Sequence, residues 1–133
     1  MLGECRRLLR TGGLLVIAIP NLGSLQAYFG MRHWFHLDIP LHLCHFTENG
    51  LRRLLARSGF KVRHIRQFDL EYNPYGWLQT LLNATGIRKN WLYDRLWTFA
   101  LLPLYAPRSL ALALFESYAL KRGGTIEGYA FKA

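Results

Sequence analysis

The sequence predicts an α/β fold built around a small, incomplete sheet, and three observations carry that expectation. Leu14-Leu15-Val16-Ile17-Ala18-Ile19 is a continuous apolar run ended by Pro20-Asn21. Apolar residues without alternation fit a strand buried on both faces, the pattern of a central parallel strand. Phe60 to Phe68 and Thr125 to Lys132 read as two further strands, and the stretches between these three segments are mainly helical in pattern. Composition permits such a core: 51% of the 133 residues are hydrophobic and 19% charged, which suits one globular domain and excludes a disordered tail.

Each element has its own signal. Leu2, Cys5, Leu8 and Leu9 recur at helical spacing over residues 2–10, and Gly12 and Gly13 stop that helix before the apolar strand. Residues 22–46 read as a long connection rich in aromatics and histidines, punctuated by Gly23, Gly30 and Pro40. Thr47 is a good N-cap for a helix over 48–58, with Leu51, Leu54 and Leu55 as its apolar stripe and Arg52, Arg53 and Arg57 facing water. Gly59 ends that helix. The 60–68 strand starts in alternation and slips register near His64, and its basic residues suit an outer strand.

Residues 69–122 look mainly helical. Trp77 to Leu82 and Trp91 to Leu102 are apolar sets, and Ser109 is the expected cap of a helix running to Leu120. The final strand, entered through Gly123-Gly124, sets Ile126, Gly128 and Ala130 against Glu127, Tyr129 and Phe131. Three strands leave one edge of the 14–19 segment without a partner, if 126–132 covers its other edge and 60–68 lies beyond. A buried strand needs a neighbour on each side. Together with the uncapped first helix, this predicts a domain cut in the middle, its remainder lying before Met1 or on a partner chain.

Charge is uneven. Residues 1–67 carry ten Lys/Arg against three Asp/Glu, 68–120 carry four against four, and 121–133 carry three against one. A basic first half joined to a neutral apolar second half suits an anionic partner or a membrane surface. No nucleic-acid motif accompanies the basic residues, so no nucleic acid is expected. Two cysteines, Cys5 and Cys44, cannot form a disulfide framework and fit a reducing compartment. The first apolar run is too short for a secretory signal and follows Glu4 and three arginines, which points to the cytoplasm.

Several of these strings resemble the C-terminal half of a class I S-adenosylmethionine-dependent methyltransferase, similar to the bacterial small-molecule group that includes the ubiquinone-biosynthesis type. Leu8 to Asn21 resembles the helix, Gly-Gly turn and fifth strand, with Thr11 where the family usually has proline. Trp34 to Thr47 contains Asp38-Ile39-Pro40-Leu41-His42 and His45-Phe46-Thr47, similar to a loop that typically reads Asp-x-Pro-Arg-His and then His-Phe-Thr or His-Phe-Ser. Leu41 replaces the usual arginine. Leu51 to Phe60 resembles the next helix and its entry to the sixth strand, and 125–132 resembles the seventh. The resemblance implies a Rossmann-like methyltransferase sheet contributing strands 5, 7 and 6, with strand 7 antiparallel between the others. It divides the chain into 1–68 (strand 5, acceptor-side loop, helix, strand 6), 69–122 (an apolar helical lid) and 123–133 (strand 7).

What the resemblance implies for cofactor is a shortfall. In this family S-adenosylmethionine sits on the first two βα units, over a glycine-rich turn. No Gly-x-Gly turn follows a strand in this sequence: Gly12-Gly13 precede one and Gly123-Gly124 follow a helix. Cofactor-binding residues are therefore unassigned, and the chain alone is expected to be inactive.

Asn21 ends the apolar strand at its carboxyl end, where open α/β sheets bind ligands, and serves equally as a turn residue. The resemblance lays Asp38, His42 and His45 over the substrate. Methyl transfer needs a deprotonated acceptor, and a histidine is the natural proton acceptor near neutral pH, with Asp38 to fix its tautomer. The other use of His42 and His45 is packing. Trp34, Phe35 and Phe46 either stack on a substrate ring or hold the loop down. His33, His36, His42, Cys44 and His45 fall close together, but their spacing does not match paired zinc ligands, and no metal is assigned.

The arginines at 52, 53, 57, 63 and 66 read as an anion-binding face or as a solvated helix face and outer strand. Leu96 to Phe115 is long and apolar enough to raise the question of a membrane span. Pro103, Pro107 and Arg108 are expected to break it into two short helices, a lid over a hydrophobic or lipid-linked small-molecule acceptor with peripheral contact to the bilayer. The competing expectation is a non-catalytic membrane-surface or partner-binding module that uses these helices and the basic face.

Overall fold

A computed structural model describes residues 1–37, 44–87 and 100–133. Three strands form one sheet: β1 (Leu14–Pro20), β2 (Phe60–Arg66) and β3 (Thr125–Lys132), in the order β1-β3-β2. β3 runs antiparallel to both neighbours, so β1 and β2 run parallel to each other and end at the same side. The register slip expected near His64 is a bulge: Val62 faces Ala130, His64 faces Tyr129, and Arg63 is the extra residue.

β1 departs from the expectation of burial on both faces. Its residues alternate between exposed and half-buried, and Leu14 and Val16 are 46% and 47% exposed. The reason is one-sided cover. Leu15, Ile17 and Ile19 pack beneath α3 (Glu48–Arg57) and beside α1 (Leu2–Leu8), whereas the opposite face carries no helix among the described residues. Among the described residues β1 also pairs with β3 alone, its other edge carrying only a bridge between Asn21 and Phe46 just past its end.

The apolar core lies under α3. Leu51 and Leu55 are fully buried on Phe60, Ile126 and Ala130, with Leu2, Cys5, Leu9, Val62 and Ile65 closing the sides. Thr47 caps α3, its hydroxyl accepting from the Gly50 amide at 3.2 Å. Completely burying one leucine contributes about 1.5–3 kcal/mol, which makes this stripe the main adhesive of the sheet layer.

A second layer is helical: α2 (Leu25–Gly30), α4 (Tyr72–Ala84) and α5 (Leu102–Leu114), the last running into a wider π turn over Phe115–Ala119. α2 lies inside what reads in sequence as a long connection. Ser24 caps it, accepting from the Ala27 amide at 2.9 Å, so a short polar residue outweighed the neighbouring glycines. Two 3₁₀ turns follow, Met31–His33 and Phe35–Leu37.

α5 corrects two expectations. Pro107 lies inside it without breaking it, and Ser109 is in mid-helix rather than at a cap. Proline removes one backbone donor, the one that would serve the Pro103 carbonyl; beside that gap Arg108 donates to the Leu104 carbonyl and the Ser109 hydroxyl to the Tyr105 carbonyl at 2.8 Å. Among the described residues no helix is long and apolar enough to cross a membrane.

The interior of this helical layer is polar. Glu116 is fully buried; its Oε1 accepts from the Gln26 amide at 3.0 Å and its Oε2 from the Trp77 indole at 2.6 Å. The Gln26 side chain in turn accepts from the Trp34 indole at 3.0 Å. Asn73, also buried, donates to the Gln67 carbonyl and to the Ser117 hydroxyl. Burial pushes the Glu116 carboxyl above its ordinary 4.5, opposed by the Gln26 and Trp77 donors and by the charge of Arg122.

Candidate functional site at the carboxyl ends of the strands

The parallel course of β1 and β2 brings their carboxyl ends together at the amino end of β3. Four segments meet there: the turn at Asn21, the start of α3 at Thr47–Glu48, the exit of β2 at Gln67, and the approach to β3 at Lys121–Gly124. A hollow of about 370 Å³ between them is lined by Asn21, Thr47, Glu48, Gln67, Lys121 and Arg122, among others. A larger one of about 760 Å³ shares Glu48, Gln67 and Lys121 and adds the apolar walls Ile65, Phe68, Leu70 and Tyr118. Open α/β sheets bind ligands at this side, and a pocket with an apolar body and a few polar groups is the usual form.

Local sequence explains the shape. The chain closes tightly where β3 begins: a Cβ on Gly123 would lie 1.6 Å from the Gln67 carbonyl oxygen, so only glycine fits. Lys121, exposed beside both hollows, holds φ of 52°, a left-handed conformation that costs a side-chain-bearing residue about 1–2 kcal/mol. Glu48 accepts from Arg52 at 2.7 Å and from the Gln67 amide. Lys121 and Arg122 have no acidic partner within ion-pair distance among the described residues. The cleft therefore sets a neutralised carboxylate against two cations that make no direct ion pair among the described residues. Near it, the buried Asn73 Oδ1 and Thr125 Oγ1 have no hydrogen-bond partner among the described residues.

The residues singled out from sequence fall in three places. Asn21 lies in the wall, but its side chain is committed: Nδ2 donates to the Gly123 carbonyl and Oδ1 accepts from the Gly23 amide, both at 2.9 Å. It ties the end of β1 to the start of β3. Phe46 pairs with Asn21, its carbonyl accepting from the Leu22 amide at 2.9 Å, and His45, which precedes it, turns toward the Trp34 ring and lines neither hollow. His45 Nε2 donates to the His36 carbonyl at 2.9 Å. A carbonyl only accepts, so Nε2 carries the hydrogen.

Trp34 and Phe35 turn the other way. Trp34 is buried, its ring 5.4 Å from that of His45, and Phe35 stacks edge-on to Tyr75 at 5.1 Å. Both hold the connection against α4, the packing use of the two open to them. Asp38 and His42 lie outside the described residues. Among those described, no group of three His, Cys, Asp or Glu side chains is placed to hold a metal ion.

The five arginines do not form one face. Arg52 pairs with Glu48, Arg66 with Glu127 at 3.1 Å, and Arg63 lies over the Phe131 ring. Sequence reasoning missed Glu48, Gln67, Lys121 and Arg122, which are scattered polar residues with no shared motif. The Gly123-Gly124 pair marked their meeting point only as a strand entry.

No known protein-family model matches this chain, and no curated protein matches it.

Proposed function

We propose that these residues form the acceptor side of an S-adenosylmethionine-dependent methyltransferase, completed by a cofactor-binding half that pairs with the open edge of β1. The single observation that carries this reading is the combination of sheet order and open edge. A strand is held antiparallel between two parallel ones, the apolar β1 among them has no partner on its far edge among the described residues, and the cleft lies at the carboxyl ends. An open edge beside exposed Leu14 and Val16 is a surface on which another strand is expected to add.

The described residues do not build a cofactor cradle. The turn after β1 is closed by Asn21 itself, whose Oδ1 takes the Gly23 amide that an anionic group would otherwise use. In this reading S-adenosylmethionine binds on the completing half, which makes the chain inactive alone. This chain would bind the acceptor, a hydrophobic or lipid-linked small molecule, with Ile65, Phe68 and Tyr118 against its apolar body. His45, His42 and Asp38 would be the residues that position the acceptor and take its proton. The protein would then work in the cytoplasm, in contact with the membrane surface.

Equilibrium dialysis with labelled S-adenosylmethionine tests the first half of the proposal: the isolated 133 residues are expected to retain none. In the completed domain, His45→Ala is expected to lower turnover about a hundredfold, the low end of a general-base contribution, with cofactor affinity unchanged. Tight cofactor binding by the isolated chain, or full turnover in the variant, would overturn the reading.

One observation favours a second function, a non-catalytic membrane-surface module. Leu104, Leu110, Leu114, Phe115 and Tyr118 are all exposed along α5 and its π turn, close to Lys121 and Arg122. Such a stripe beside cations suits an anionic bilayer surface. Flotation with anionic vesicles, strong and unaffected by cofactor or acceptor, would select this function over methyl transfer.

A further inference from the structure

The end of the sheet opposite the cleft gathers cations from three distant parts of the chain. A surface hollow of about 490 Å³ is lined there by Arg6, Arg7, Arg57, Ser58 and Lys132, with Gly3 at its rim. α1 contributes the first two, the carboxyl end of α3 the next two, and the last residue of β3 the lysine. Only Arg7 is neutralised, by Glu4 at 2.9 Å. Among the described residues Arg6 and Arg57 have no acidic partner within ion-pair distance. Lys132 spends one hydrogen on the Leu9 carbonyl at 2.7 Å and keeps two.

The hollow is also shaped around these groups. Gly59 has φ of +79°, and a Cβ there would lie 2.5 Å from Arg6 Nε, so the guanidinium rests on bare backbone. Attraction to the carboxyl ends of α1 and α3 accounts for a basic residue on each helix. It does not account for Lys132, which belongs to a strand, or for Arg6 laid across Gly59. Converging like charges raise the local potential, and the group that relieves this best is a compact multivalent anion that accepts several charge-assisted hydrogen bonds.

We propose that this hollow binds a phosphate-bearing anion, with Arg6, Arg57 and Lys132 as its charged donors and the Ser58 hydroxyl as a neutral one. Guanidinium forks match phosphoryl oxygens two at a time, and the site is independent of the cleft and of any methyl transfer. Its ligand is either a soluble phosphorylated compound or the headgroup of an anionic lipid.

Titration of the full chain with inorganic pyrophosphate, followed by amide chemical shifts and calorimetry, tests it. Saturable shifts are expected at Ser58, Gly59 and Lys132, and Arg6→Gln/Arg57→Gln is expected to weaken binding at least about tenfold. Arg53→Gln/Arg63→Gln removes the same charge elsewhere and is expected to weaken it less than about twofold. All four positions are exposed, so the thermal midpoints of both variants serve as the check on folding. Equal weakening in the two variants, or no saturable shift, overturns the proposal. Co-sedimentation with phosphatidylglycerol but not phosphatidylcholine vesicles, abolished by pyrophosphate and by Arg6→Gln/Arg57→Gln, identifies a lipid headgroup as the source. Pyrophosphate binding without vesicle association identifies a soluble one.

Discussion

The two layers are held together by opposite means. Under α3, five buried apolar residues and their half-buried neighbours close on one another. Between α2, α4 and the π turn, the buried set includes Gln26, Asn73, Gln79, Ser109, Glu116 and Ser117 beside Trp34, Trp77 and Leu82. An apolar interior depends on volume and tolerates exchange of similar shapes. A polar interior depends on pairing, and each group stripped of its partner leaves another desolvated and unpaired. The helical layer should therefore be the more specific and the more easily broken.

The largest expected effect attacks the polar interior at its centre. Glu116→Leu removes the acceptor of two buried donors, the Gln26 amide and the Trp77 indole. At about 1–3 kcal/mol for each stranded donor, urea denaturation should register a loss of about 2–6 kcal/mol. Hydrogen exchange should show α2 and α4 losing protection before the sheet. A loss below about 1 kcal/mol would erase the distinction between the layers.

A matched pair of substitutions sharpens the contrast. Leu51→Met keeps shape in the apolar core and should cost less than about 1.5 kcal/mol. Gln26→Met, a comparable exchange of side-chain length, strands the Trp34 indole and should cost about 1–3 kcal/mol. Equal losses from both would show that pairing is not what distinguishes the second layer.

The smallest effect is a dependence on pH. The Glu116 carboxyl is raised in the folded state, chiefly by burial. Below its ordinary value of 4.5 the group is protonated folded and unfolded, so it costs nothing there. As pH rises past that value the unfolded chain ionises first, and stability falls until the folded value is passed. Relative to Glu116→Gln, which cannot titrate, the chain should lose stability on going from acid toward neutral pH. A difference in unfolding free energy that stays flat across that range would remove the raised carboxyl from the account.

Sequence was a good guide where the signal is local or repeats with a period. The N-cap at Thr47, the Leu51–Leu55 stripe, the end at Gly59 and the slipped register near His64 all stand in the structure as read, and so does the placement of 126–132 between the other two strands. It misled where two rules competed. An apolar run implied two covered faces for β1, yet Leu14 and Val16 remain exposed because no described helix lies over them. Pro107 implied a break, yet the helix runs through it at the loss of one backbone donor. At the cleft, Asn21 was legible and lines the hollow with Phe46 bridged to it, whereas Glu48, Lys121 and Arg122 became neighbours only through the sheet.

What the sequence determined alone is the three strands, α3 and its inward stripe, since hydrophobic period, caps and glycines act over a few residues. Two things were decided by tertiary structure. One is the burial of Glu116 between Gln26 and Trp77; the other is the gathering of Arg6, Arg57 and Lys132 around one hollow. Both join residues far apart in the chain, and no local pattern encodes a distance that only the packed backbone creates.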